Sequence, residues 1–288
     1  MNQISTPSTQ KIISITSQSH SGSTVLSMAL ACHWQLVSLG EIYQVLREQP
    51  DFWLDDPAQR CSCGAHASEC SFWRVALSRV KQQQKHTGKP DKADIRAGYQ
   101  IVLDTFREQF ADLGIVDTSK GEDHISLLSE LKNADPQVIF LLRDVRSFAV
   151  SQTRLARLEN RKGFKKAKGH YWYQMVRWYT RNRKREANLI RSGLSYQQIG
   201  YEAFCFDVRN TLARTFEKCG LEPADQERDI HHSEHHVLFG NPMRLNASAH
   251  QQINYDDRWF KETGYQLPLT LMPFVMRYNR EKVYAVGK

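Results

Sequence analysis

Ser17-Gln18-Ser19-His20-Ser21-Gly22-Ser23-Thr24 is the stretch whose reading decides the fold. Lys11-Ile12-Ile13-Ser14-Ile15-Thr16 precedes it, a β-branched run that alternates apolar and polar residues as a strand does. Val25-Leu26-Ser27-Met28-Ala29-Leu30-Ala31 follows and continues as a helix. Strand, tight loop and helix in that order aim the loop N–H groups and the helix N-terminus at one point, a seat for an anion such as phosphate. Gly22 lets the backbone approach the ligand closely, and the Ser and Thr hydroxyls add short donors. The loop is close to the phosphate-binding pattern G-x-x-x-x-G-K-[ST]. Ser17, however, stands where the first Gly would be, and Ser23 stands where the Lys that reaches the β/γ-phosphates would be. An NTPase or kinase reading is weakened accordingly. The one basic group in the loop is His20. The plainer alternative is an ordinary Ser-rich turn between a strand and a helix.

Working outward, the 288 residues suit one large α/β domain or two small ones. We expect a single domain over 1–288, with a core at about 11–264 and a C-terminal extension at 265–288. No apolar stretch approaches the ~20 residues that span a bilayer, so no stable membrane insertion is expected. Met1 to Gln10 is polar and lacks the apolar run of a signal peptide. The expectation is a cytoplasmic chain with its six cysteines reduced. The net charge is +8, and the segment from Arg143 to Arg191 carries 15 Lys/Arg against three acids. Such a block implies an anionic partner: a nucleotide, an acidic glycan, nucleic acid or a membrane surface. No recognition-helix, RRM or zinc-finger pattern supports nucleic acid.

Four further strands are expected. Leu36–Leu39 ends at Gly40-Glu41, and a carboxylate at a strand end lies at the edge where α/β sheets bind ligands. Glu41 there suits a proton acceptor for a substrate hydroxyl, or equally a helix N-terminal acid favoured by the dipole. Leu113–Asp117 is followed by Lys120, poised over whatever the first loop binds, or else an exposed first-turn lysine. Val138–Leu142 is continuously apolar and follows Pro136, as a central parallel strand would. It ends in Arg143-Asp144-Val145-Arg146, where Arg143 offers a planar, permanently charged fork for phosphate. Ser151 lies two turns into the next helix and faces the same phosphate. The competing reading is an Arg-Asp salt-bridged cap. Leu194–Ile199 is the fifth strand. Two helices are expected within 74–111, one over Tyr171–Arg191, and one over Asp207–Cys219 capped by Gly220.

Cys61, Cys63, His66 and Cys70 fall within ten residues and offer zinc ligands. The C-x-C spacing is not the usual C-x₂₋₄-C knuckle, and a set of buried thiols under Phe72 and Trp73, or a disulfide, fits as well. The histidines of His231–His236 form a second candidate cluster, though loop histidines at that spacing seldom bind metal.

Together these motifs resemble the sulfotransferases that use 3′-phosphoadenosine 5′-phosphosulfate (PAPS). In that family a Lys or Arg usually precedes Ser-Gly-(Ser/Thr)-Thr, where this chain has His20. The family's 3′-phosphate motif places an Arg at a strand end and a Ser eight residues on, as Arg143 and Ser151 stand. Gly40-Glu41 is similar to the Gly-Glu of the tyrosylprotein branch. The C-x-C-G…C-x-F-W loop resembles one found in bacterial members. Tyr201-Glu202-Ala203-Phe204 and the run Gly240-Asn241-Pro242-Met243-Arg244 also match, so the likeness spans Ile12 to Lys261. It implies a P-loop-like three-layer α/β/α fold with a central parallel sheet. It implies sulfonyl transfer from PAPS to a hydroxyl or amine of a carbohydrate, lipid, small metabolite or peptide. Ser19, His20, Ser21, Gly22, Ser23 and Thr24 would hold the 5′-phosphate. Arg143, Ser151 and Arg244 would hold the 3′-phosphate, with Tyr201 beside the nucleotide. Glu41 would be the base, with His124 and His170 as alternatives, and His20 and Lys120 would stabilise the transferring group. No metal is expected in the reaction, because the leaving group is a nucleotide monophosphate. A small-molecule kinase and a non-enzymatic anion- or nucleic-acid-binding module are the competing functions.

Overall fold

The computed structural model describes residues 9–84, 88–160, 169–222, 235–241, 245 and 253–284. Five strands form one sheet: β1 (Gln10–Ser17), β2 (Leu36–Gly40), β3 (Gly114–Asp117), β4 (Ala134–Leu142) and β5 (Tyr196–Gly200). Their order is β2-β3-β1-β4-β5 and every pairing is parallel. The α/β class, the three layers and the central parallel sheet therefore stand as the sequence implied.

The central strands are buried on both faces, which explains their composition. In β4, Val138, Phe140 and Leu142 enter one hydrophobic cluster, while Ile139 and Leu141 enter the other. In β1, Ile12 joins the first cluster, and Ile13 and Ile15 join the second. Burying a Val, Leu, Ile or Phe side chain stabilises a fold by about 1.5–3 kcal/mol. The alternation in β1 does not mark a solvated face: Ser14 and Thr16 are also buried. A parallel sheet covered by helices on both sides leaves its middle strand no wet side.

β4 is longer than its apolar run. It starts at Ala134 and takes in Pro136, which pairs with Ile12 of β1. β5 joins only from Val138 onward. Pro136 thus lies where β4 has a neighbour on one side, the setting in which a strand tolerates a missing N–H.

The helices Trp73–Gln83, Lys92–Phe110, Tyr171–Ser192 and Val208–Lys218 lie where the sequence places them. The Lys92–Phe110 helix opens with a capping box in which Asp91 accepts from the Ala93 and Asp94 N–H groups. At the C-terminal end, the helix Pro273–Val283 packs on β5. Gln198 donates to the Lys282 carbonyl. A Cβ on Gly200 would stand 2.2 Å from the Val283 carbonyl oxygen, so only glycine permits that approach. Among the described residues, no helix is long and apolar enough to cross a membrane.

Candidate active site

Because β1 to β4 run parallel, Ser17, Gly40, Asp117 and Leu142 all end at one edge of the sheet. The candidate residues hang from that edge.

The Ser17–Thr24 loop leads into the helix Ser23–Leu30, whose N-cap is Gly22 at φ 90°. No side chain caps this helix, and the N–H groups of a first turn have no intrahelical acceptor. The ring of Tyr201 lies against Gly22, and a Cβ there would meet its Cδ2 at 2.3 Å. Both the left-handed conformation and the ring contact demand glycine. Ser19 and His20 are exposed, Thr24 is half-buried, and Ser21 and Ser23 are buried. His20 is also left-handed, at φ 65°, and its carbonyl accepts from Arg143 Nη1 at 2.9 Å.

Arg143 is the hinge between this loop and the rest of the site. Its Nε donates to Ser147 Oγ at 2.8 Å and its Nη2 to Asp256 Oδ2 at 2.7 Å. Its own carbonyl accepts from Trp178 Nε1 at 2.9 Å, while the Trp178 carbonyl accepts from Gln18 Nε2 at 3.0 Å. The guanidinium also lies over the Tyr201 ring, 5.0 Å from its centroid. The salt-bridged cap belongs to the neighbouring residues instead. Asp144 accepts from Arg146 Nε and Nη2 at 2.9 and 2.8 Å, from Asn279 at 2.9 Å and from Tyr284 at 2.7 Å. Burial opposes ionisation of Asp144, but Arg146 and the other donors hold its carboxyl below the usual range. Arg146 is thus committed to Asp144, and Arg143 faces the loop.

Ser151 lines a small pocket with Ser147, Arg154, Asp256, Arg258 and Trp259. Arg258 binds Asp256 through two bonds, Nε to Oδ1 at 2.5 Å and Nη2 to Oδ2 at 2.6 Å. Asp256 therefore sits between two guanidinium groups. Burial pushes its carboxyl up, yet the bonds from Arg258 and Arg143 hold it well below the ordinary value. Sequence reading passed over both Asp256 and Arg258, which carry no motif of their own. Arg244 lies outside the described residues, as do His231 to Glu234 and the basic run 161–168.

Opposite Arg143, Glu41 follows the irregular end of β2, where the register with β3 shifts between Ser38 and Gly40. Glu41 is the N-cap residue of the short helix Ile42–Val45, but its side chain does not cap. It accepts from Lys120 Nζ at 2.6 Å, and the two side chains are only 11% and 16% exposed. Beneath this pair, Asp117 accepts from Tyr99 at 2.6 Å and from the Ser119 N–H at 2.7 Å. His124 Nε2 lies 2.8 Å from Asp117 Oδ2, the oxygen that also accepts from Tyr99, and has no exposure. Its ring lies near those of Tyr43 and Tyr99. His170 is exposed at the N-cap of the helix Tyr171–Ser192.

Next to Arg143, Glu202 accepts from the Asp144 N–H at 3.1 Å through both oxygens. Burial, and then the Asp144 charge, push its carboxyl up to about 7.

No family model and no curated protein matches this sequence. Solved structures do match. A sulfotransferase domain from the curacin biosynthetic pathway superposes with a TM-score of 0.60 at 16% identity, over 93% of this chain and 98% of that one. The sulfotransferase domain of the Synechococcus PCC 7002 olefin synthase gives 0.52 at 19% identity, over 96% and 98%. This chain has the sulfotransferase fold across nearly its whole length.

Proposed function

We propose that this chain transfers a sulfonyl group from PAPS to a hydroxyl or amine. The observation that carries the reading is Arg143, which holds the first loop with one nitrogen and presents a second to the Ser151 pocket. One fork thus ties the proposed seat for a 5′-phosphate to a proposed seat for a second phosphate, as a 3′,5′-bisphosphorylated nucleoside would need. The residues also fit the donor chemically: the first loop offers backbone N–H groups, and the pocket offers Ser151, Arg154 and Arg258, with Arg143 bonded to its Asp256. Arg258, bonded to Asp256 at this pocket, is a further candidate for the second phosphate.

Bound there, PAPS supplies the sulfonyl group. Gly22 and Ser21 to Thr24 hold the 5′-phosphate by backbone and hydroxyl donors, and Tyr201 closes over the loop. Glu41 accepts the proton of the acceptor as its oxygen or nitrogen bonds to sulfur. The bond from sulfur to the bridging oxygen breaks, and the electron pair leaves with 3′-phosphoadenosine 5′-phosphate. Lys120 orients Glu41 until substrate arrives, then turns one of its three N–H donors to the sulfonyl oxygens. His20 stands at the loop to receive charge on the leaving phosphate. Positioning and charge stabilisation are the main tasks, as in phosphoryl transfer.

The test is acceptor-dependent release of 3′-phosphoadenosine 5′-phosphate with a matching gain of SO₃ on the acceptor, read by mass spectrometry. Glu41→Gln should lower turnover about 10²-fold or more while nucleotide binding persists. Mg²⁺-dependent ATP turnover without affinity for PAPS would contradict the proposal and favour a kinase.

A further inference from the structure

The structure gathers four metal-ligating side chains that the proposed transfer does not use. The Sγ atoms of Cys61, Cys63 and Cys70 and a ring nitrogen of His236 all lie within 4.8 Å of one another. The thiols come from one loop, and the imidazole comes from 166 residues further along the chain. Cys70 Sγ and His236 Nδ1 are 3.3 Å apart. In a tetrahedral zinc site with Zn–S near 2.3 Å and Zn–N near 2.1 Å, neighbouring ligand atoms stand about 3.5–3.8 Å apart. The four atoms are thus at the spacing such a site needs, or within reach of it.

The local backbone explains how a C-x-C pair serves. Gly64 is left-handed at φ 90°, and the turn is closed by Gly64 N–H to the Cys61 carbonyl at 3.0 Å and Cys61 N–H to the Ala65 carbonyl at 2.9 Å. This tight turn brings Cys61 and Cys63 to one point. His66 is turned elsewhere: its ring nitrogens bond Ser68 Oγ at 2.7 Å and the Asp56 carbonyl at 2.8 Å. The histidine that completes the set is therefore His236, not the one nearest in sequence. Its ring lies near Phe72 and Phe110, and its backbone N–H donates to the Ser38 carbonyl of β2 at 2.8 Å. The Trp73 N–H points at Cys70 Sγ at 3.5 Å, the kind of outer contact that steadies a metal thiolate. Cys61, Cys70 and His236 are buried, and Cys63 is exposed. Soft thiolates with one imidazole select zinc, and four protein ligands leave no open position for chemistry.

We propose that Cys61, Cys63, Cys70 and His236 form a structural zinc site. It clamps the strand-like segment 235–239 to the cysteine loop and to the end of β2. Ser62 N–H already donates to the Val237 carbonyl at 3.0 Å, and Glu41 N–H reaches the Phe239 carbonyl at 3.4 Å. The metal thus secures one wall beside Glu41 without entering the reaction. This inference stands independently of the proposed sulfotransfer.

The test uses the full chain, purified with reductant. Elemental analysis should find about one zinc per chain. Replacing the zinc with Co²⁺ should give the intense visible bands and near-ultraviolet charge transfer of a tetrahedral thiolate site. His236→Ala and the exposed-site change Cys63→Ser should cut metal content several-fold and shift the cobalt spectrum, whereas His66→Ala should leave both intact. Wild-type protein that holds no zinc and gives no tetrahedral cobalt spectrum would overturn the proposal, whatever the variants do. So would a disulfide among the three cysteines in protein isolated without reductant, or loss of metal in His66→Ala but not in His236→Ala.

Discussion

The Ser17–Thr24 loop and the Arg143 corner are two ends of one candidate site, and they are built from different materials. The loop is a backbone device: a left-handed Gly22, an uncapped helix start and a ring packed against the glycine. The corner is a side-chain device whose charges are already satisfied within the chain. Asp256 fills the forks of Arg143 and Arg258. On the proposed reading, a nucleotide would meet a ready seat at one end. At the other, its second phosphate would have to displace the Asp256 carboxylate from the two guanidinium groups. A phosphate dianion offers a pair of guanidinium groups more charge and one more oxygen than a carboxylate does, which would favour that displacement.

The largest way to break the comparison is at the loop. Gly22→Ala puts a Cβ into the Tyr201 ring and forces an L-residue into the left-handed region. The conformational cost is about 1–2 kcal/mol and the overpacking about 1–3 kcal/mol. Nucleotide affinity measured by calorimetry should fall by about two orders of magnitude or more, and the unfolding midpoint should drop. An unchanged affinity would mean that the loop is a plain turn.

At the corner the expected effect is smaller and of opposite sign. Asp256→Asn removes the competing carboxylate and leaves Arg143 and Arg258 charged. Affinity for 3′-phosphoadenosine 5′-phosphate should rise roughly tenfold, about 1.4 kcal/mol, with no gain for 5′-AMP. A weaker affinity would show that Asp256 positions the arginines and does not compete for them.

A third effect concerns stability rather than affinity and sharpens the electrostatics of the corner. Glu202 has its carboxyl raised from 4.5 to about 7. Between those values the folded chain holds the proton and the unfolded chain has released it, so stability falls as pH rises through that window. Glu202→Gln stays neutral throughout and still accepts from the Asp144 N–H. Urea unfolding should show the variant gaining on the wild type from pH 4.5 to 7, by at most about 3 kcal/mol. Parallel pH profiles would contradict the assignment.

What the sequence made legible follows the same division. β-branched runs, Gly22 and the Arg143-to-Ser151 spacing are local, so strand ends and backbone geometry were readable from neighbours in the chain. Pairings between distant residues were not. Asp256 meets Arg143 across 113 residues, and His236 meets Cys70 across 166. Nothing near Asp256 or Arg258 signals a phosphate corner, because the carboxylate acquires its meaning only from the arginine opposite. His66 misled for the converse reason: it is close to the cysteines in sequence and bonded elsewhere in space. Pro136 was read as a strand boundary because the one-sided pairing of β4 there is a property of the sheet.

The central claim is that Arg143 joins two phosphate seats, and one calorimetric comparison tests it most directly. The wild-type chain should bind 3′-phosphoadenosine 5′-phosphate more tightly than 5′-AMP by about 2–4 kcal/mol, and Arg143→Ala should erase most of that difference. Equal affinities of the wild type for the two nucleotides would contradict the account.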